Sequence, residues 1–178
     1  MTTPLPLLAL TLCCLAVPAA AQSGGAPVAD ALRANAERAG RNLVAAAEVM
    51  PADKYGFKPT PAQMSFGDVI GHLIHGNDFL CSKVSGEPAP KRADLAKTAA
   101  KAELVSRLRE TFEFCQASLA KVDDSKLAAK VPFFGDREVT RAQAMLSTTE
   151  DWADHYSQLA IYLRLNGLLP PTAKKSQE

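Results

Sequence analysis

The side chains best suited to chemistry are few. The chain has three histidines: His72 and His75 in GHLIHGND, and His155 in DWADHYSQ. Asp151 precedes His155 by four residues, so on a helix the two side chains share one face. A divalent cation needs lone pairs converging from rigid elements. A pair at i, i+4 on one helix with a third residue on a facing helix supplies them. His72, Asp151 and His155 would offer two nitrogens and one oxygen and leave positions open for water or substrate, the pattern of a catalytic rather than a structural site. A plainer reading competes: Asp and His recur at this spacing by chance, and the carboxylate can serve only to bond the imidazole or orient it.

Four helix-length segments must position these residues. The first spans about Pro27 to Met50, with Val28, Leu32, Ala36, Ala39, Leu43, Ala46 and Met50 in steps of three and four. ADKYGFKPTPAQ then breaks the periodicity at Gly56, Pro59 and Pro61 and reads as a loop. Its Tyr55 and Phe57 need burial, either capping the core or lining a pocket. A second helix begins at Ser65, where Asp68 three residues on makes a capping box. Phe66, Val69, Ile70, Leu73, Asn77, Leu80 and Val84 form its inner face, and Gly86 and Pro88 end it. At about 100° per residue, His72 lies at the margin of that stripe, whereas His75 points away into solvent. EPAPKRADLAK is a loop. A third helix runs from about Thr98 to Val122 with Leu104, Leu108, Thr111, Cys115, Ser118 and Val122 inward. KVPFFGDREV follows; Gly135-Asp136 reads as a turn, while Pro132 and the short flanks argue against a hairpin. Asp123-Asp124 reads as a solvated loop pair. Thr140 and Gln143 cap a last helix that runs to Asn166, with Met145, Thr149, Trp152, Tyr156, Leu159 and Leu163 as its seam, and Gly167 and Pro170-Pro171 stop it. Four amphipathic helices with loops of this length predict an all-α four-helix bundle.

With a net charge of +1 and 6% aromatic residues, the chain has neither the basic face nor the stacking platforms of a nucleic-acid binder. LPLLALTLCCLAVPAAA (Leu5–Ala21) is uncharged, apolar and short of a bilayer span. With Ala19-Ala20-Ala21 as a cleavage site it predicts a signal peptide over residues 1–21, although no Lys or Arg precedes it. Residues 22–178 would then form the mature domain, periplasmic or secreted, with no stable membrane span. Cleavage leaves Cys81 and Cys115, and two readings stay open: a disulfide, as an oxidising compartment permits, or two buried thiols. A homodimer is also open, since alanine-rich bundles often associate.

MPADKYGFKPTPAQMSFGDVIGHLIHGNDFLCSKVSG (Met50–Gly86) and DHYSQLAIYLRLNGLLPP (Asp154–Pro171), in this order and at this separation, resemble the DinB-like family. The resemblance covers nearly all of the predicted mature chain. It implies an up-down-down-up four-helix bundle whose three metal ligands come from the second helix, matching His72, and from two positions four apart on the last helix. The second of these matches His155. The first is usually histidine and here is Asp151, which makes the site harder and one unit more negative while remaining compatible with Zn, Ni, Mn or Fe. The family includes thiol-dependent S-transferases, isomerases of thiol adducts and metal-dependent hydrolases. Export disfavours the S-transferase option, because low-molecular-weight thiols are chiefly cytosolic. The expectation is therefore an exported metal-dependent hydrolase acting on a small-molecule substrate. The alternative is a non-catalytic exported bundle that binds a small ligand or a partner protein, with Asp151 marking the loss of metal.

Overall fold

The computed structural model describes residues 25–96 and 98–173. The predicted signal peptide lies outside the described residues. Four helices dominate: α1 (Pro27–Val49), α2 (Phe66–Ser85), α3 (Lys101–Leu119) and α4 (Arg141–Leu165). Among the described residues, no helix is long and apolar enough to cross a membrane.

Named contacts fix the helix directions. Between α1 and α3, Arg33 Nη1 donates to the Val122 carbonyl at 2.8 Å and the Lys101 ammonium donates to the Met50 carbonyl at 2.8 Å, so the two run antiparallel. Between α2 and α3, Asn77 meets Thr111 and Cys81 meets Cys115, which is parallel. Between α2 and α4, the His72 ring stacks on His155 and Asn77 bonds Trp152, which is antiparallel. The order is therefore up-down-down-up. Its parallel α2–α3 step requires the long segment 86–100 to travel back along the bundle. Arg92 pins that segment by a two-bond clamp on Asp78, at 2.6 and 3.2 Å, and by a bond to Glu110 at 3.1 Å.

The helix ends follow local chemistry. Ser65 and Thr140 each close a capping box, with Asp68 and Gln143, as their spacing predicts. Gly86 ends α2 at φ +83°, a left-handed conformation that glycine adopts freely. The α1 N-terminus is capped from 95 residues away: Val28 N and Ala29 N donate to the two Asp124 carboxylate oxygens at 3.0 and 2.8 Å. The carboxylate satisfies two free amides at the positive end of the helix dipole. Asp124 is thus a cap rather than half of a solvated pair, and Val28 beside it is exposed.

Helix α3 is shorter than its periodicity suggests, starting at Lys101 and ending at Leu119. Val122 stays buried on the turn beyond it. A hairpin, contrary to expectation, does form: β1 (Lys130–Pro132) pairs antiparallel with β2 (Glu138–Thr140), Val131 opposite Val139. Gly135 and Asp136 reverse the chain at φ +64° and +57°, and Phe133 N closes the turn on the Arg137 carbonyl at 2.8 Å. Pro132 is tolerated because each strand of this two-stranded ladder is an edge, and Val131 is buried.

Loop aromatics cap the core beyond the start of α2. Tyr55 donates to the Ala47 carbonyl at 2.7 Å and meets Phe66 edge-on, while Phe57 packs edge-on against Tyr162. Tyr162 in turn donates to the Met64 carbonyl at 2.9 Å. The buried seam of α4 is Met145, Thr148, Trp152, His155, Leu159 and Tyr162-Leu163. It is rotated from the expected one: Thr148 replaces Thr149 and His155 joins the buried side.

Candidate metal centre

Helices α2 and α4 bring the three sequence-predicted residues together. His72, Asp151 and His155 each present one ligand atom, and these atoms all lie within 4.8 Å of one another. The imidazoles of His72 and His155 stack with centroids 4.9 Å apart. Their exposure is graded: His72 is open to solvent, Asp151 is half-buried and His155 is only 7% exposed. The site is thus a groove with one accessible edge, at which His72 borders a cleft of about 460 Å³ that also touches His75 and Gly71. A larger cleft of about 650 Å³, between α2 and the 86–95 segment, contains none of the three. His75 is exposed, as its angular position predicts.

Each ligand candidate is oriented. His155 Nδ1 lies 2.7 Å from the Asp151 main-chain oxygen, so this nitrogen carries the proton and Nε2 keeps its lone pair. The Asp151 carboxylate contributes less to that orientation, with Oδ1 3.5 Å from the same nitrogen. Its other oxygen, Oδ2, is enclosed and has no hydrogen-bond partner. Burial pushes the Asp151 carboxyl above its ordinary value; His155 and His72 offset part of the shift, and Asp154 adds to it. An enclosed carboxylate oxygen without a donor is costly, and a cation between the three side chains would satisfy it. The donor set of two imidazoles and one carboxylate fits a first-row divalent ion.

A polar network beneath the groove sets the α2–α4 spacing. Trp152, next to Asp151, donates its indole N–H to Asn77 Oδ1 at 2.7 Å, and Asn77 Nδ2 donates to Thr111 Oγ1 at 3.0 Å. Thr111 donates onward to the Leu108 carbonyl at 2.8 Å. Asn77 and Thr111 are fully buried and tie three helices to one amide. Its neighbour Gly76 faces the Asp151 carboxylate; a Cβ there would sit 3.6 Å from Oδ2. One turn along, Cys81 and Cys115 form a disulfide with Cα atoms 5.2 Å apart. Asn77 and Thr111 were each visible in the sequence as a polar residue inside an apolar stripe, and Trp152 as a seam residue; that the three join in one network was not.

The chain is an all-α bundle with three candidate metal ligands on its second and fourth helices, and the comparisons give its family. Residues 35–159 match the DinB superfamily, and the chain belongs to that superfamily. Among solved structures it is similar to a DinB-like protein from Bacillus subtilis, with 18% identity and a TM-score of 0.65 over 82% of this chain and 99% of that one. A DinB-like protein from Bacillus cereus gives 15% identity and a TM-score of 0.67, over 80% and 95%. A conserved protein from Enterococcus faecalis gives 16% and 0.60, over 78% and 96%. At these identities the likeness concerns the fold. No curated protein matches the sequence.

Proposed function

We propose that the protein is an exported metal-dependent hydrolase in which His72, Asp151 and His155 hold a divalent first-row cation. The observation that carries this is Asp151 Oδ2, an enclosed oxygen without a hydrogen-bond donor, in the same cluster as two imidazoles. Lewis acidity and the activation of water near neutral pH are the chemistry such a cation supplies. The chain's own residues do the rest. The Asp151 carbonyl holds the proton on His155 Nδ1, the Asn77–Trp152 bond fixes the separation of α2 and α4, and the exposed His72 edge admits a small-molecule substrate. Export is supported by the apolar, charge-free Leu5–Ala21 segment and by the Cys81–Cys115 geometry, since disulfides persist in oxidising compartments.

Elemental analysis of the protein purified from its native compartment tests the reading. About one equivalent of a first-row metal is expected in the wild type, lost in His72→Ala with the helical content unchanged. Sub-stoichiometric metal in the wild type would refute it.

A further inference from the structure

Beneath the metal centre, α2 and α3 are joined by two successive rungs. Asn77 bonds Thr111, and four residues further along each helix Cys81 is bonded to Cys115. Residues four apart share a helix face, so both rungs lie on one line. Cys81 and Cys115 are each 0% exposed, and Cys115 Sγ lies 3.5 Å from the Asn77 main-chain oxygen. Trp152 of α4 is seated on both helices. Its indole N–H bonds Asn77 of α2 at 2.7 Å, and its ring lies against Phe112 of α3, centroids 5.7 Å apart. Asp151 is the residue before Trp152. Gly76 is the residue before Asn77, and a Cβ there would sit 3.6 Å from Asp151 Oδ2. The place of the Asp151 carboxylate is thus set by how α2 and α3 sit together behind Trp152. Breaking the disulfide would make two sulfurs part to non-bonded contact inside a close-packed core, which pushes α3 away from α2. Phe112, one turn before Cys115, would move with α3 while Asn77 stays with α2. Trp152 touches both and cannot follow both.

We infer that the Cys81–Cys115 disulfide is a positioning element of the metal centre. It holds Asn77 and Phe112 in one register behind Trp152, and through Trp152 it sets Asp151 against His72. The inference rests on the metal reading above and adds a condition to it: the oxidised chain is the form that binds the cation tightly, and the centre is weak while the two thiols are free. The loss on removing the bond is that of a group that orients a metal ligand, about tenfold in affinity.

Cobalt(II) separates this inference from its premise, because one titration of the full chain reads both affinity and, in the visible d–d bands, the geometry of the ligands. The oxidised wild type should bind cobalt at a single site. The pair variant Cys81→Ala, Cys115→Ala, which offers the metal no thiolate, should bind about tenfold more weakly, with shifted bands and unchanged helical content. Cys81→Ala, Cys115→Val refills part of the space without the bond and should be as weak; it carries the comparison if the alanine pair loses helix. In Trp152→Phe, where the bond to Asn77 is already cut, removing the two cysteines should lower affinity by less than about twofold further. Wild-type affinity and bands in the alanine pair, their recovery in the refilled pair, or a full further loss of about tenfold in the Trp152→Phe background overturns the positioning role and leaves the metal centre standing. No cobalt binding by the oxidised wild type overturns both.

Discussion

Asn77→Leu keeps the branching of the side chain and replaces its amide by two bulkier methyl groups in a filled site, so its effect can be worked from the bonds it breaks and the volume it adds. Trp152 is 1% exposed, and its indole N–H loses its acceptor without access to water. An orphaned buried donor costs about 1–3 kcal/mol. Thr111 loses the bond it accepts from Asn77 but keeps the one it donates to Leu108, a loss of about 0.5–1.5 kcal/mol. The gain from added apolar burial is offset by overpacking of similar size, so the net destabilisation should stay near the sum of the two losses, about 1.5–4.5 kcal/mol. At roughly 2–4 °C per kcal/mol for a domain of this size, the melting temperature should fall by about 3–18 °C. The assay is urea and thermal denaturation with chelator present, so that metal binding contributes nothing, on the two single variants Asn77→Leu and Trp152→Phe and on the double. Removing the orphan along with its acceptor should make the double variant milder than the sum of the singles by at least about 1 kcal/mol. Additivity within about 0.5 kcal/mol would refute the claim that this bond holds α2 against α4. Metal affinity gives a second reading, since a shifted α4 carries Asp151 and His155 with it.

Reducing the Cys81–Cys115 bond frees a loop with a separation of 34 residues, worth up to about 4 kcal/mol by chain entropy. The midpoint of urea unfolding should therefore drop with reductant and be unaffected by it in a Cys81→Ala, Cys115→Ala variant. Asp124→Ala strips two bonds from the α1 N-terminus and should cost about 1 kcal/mol, with amide exchange accelerated in the first turn of α1 and little elsewhere. Bonds from the Ser65 side chain and backbone hold Asp68 below its ordinary value, so its contribution is present above the carboxylate range and is lost as pH falls through it. The stability difference between wild type and Asp68→Asn should accordingly be largest near neutrality and vanish in acid.

How much of this could be read beforehand depended on whether a feature is local. The capping boxes, the Gly86 stop and the apolar stripes are written within one helix turn, and they placed α2 and α4 within a residue or two. The pairing of Asp151 with His155 is likewise a matter of spacing; His72 was placed with them as the residue on a facing helix, and the family resemblance added to that reading. What the spacing could not reveal was partnership across the bundle. Asp124 serves α1 from the far end of α3, and as a bare Asp-Asp pair it looked solvated. Cys81 and Cys115 meet only because α2 and α3 run parallel in register. The hairpin depended on Gly135 and Asp136 both taking positive φ, whereas the sequence drew attention to Pro132. Met145, Trp152, Leu159 and Leu163 of the α4 seam were read correctly, while Thr149 was read for Thr148 and Tyr156 for His155, choices that packing makes and composition does not.

Asp151, standing where the resemblance implies histidine, bears most directly on function. If Asp151 served only to orient His155, its carboxylate should accept the Nδ1 proton. The main-chain oxygen of the same residue does so instead, at 2.7 Å, while Oδ1 stands 3.5 Å away. Helix geometry thus fixes the imidazole, leaving the carboxylate without that duty and with one oxygen buried and unpartnered. Burial raises the Asp151 carboxyl, so without metal its ionised form opposes folding increasingly as pH rises above the ordinary carboxylate value. Asp151→Asn should then be at least as stable as the wild type in chelator at pH 7, the difference closing in acid. Nitrogen NMR should show the His155 proton still on Nδ1 in that variant. Added zinc should raise the melting temperature of the wild type and not of Asp151→Asn. A variant that loses the His155 tautomer, or gains stability from zinc as the wild type does, would return the carboxylate to the orienting role and take the metal centre from it.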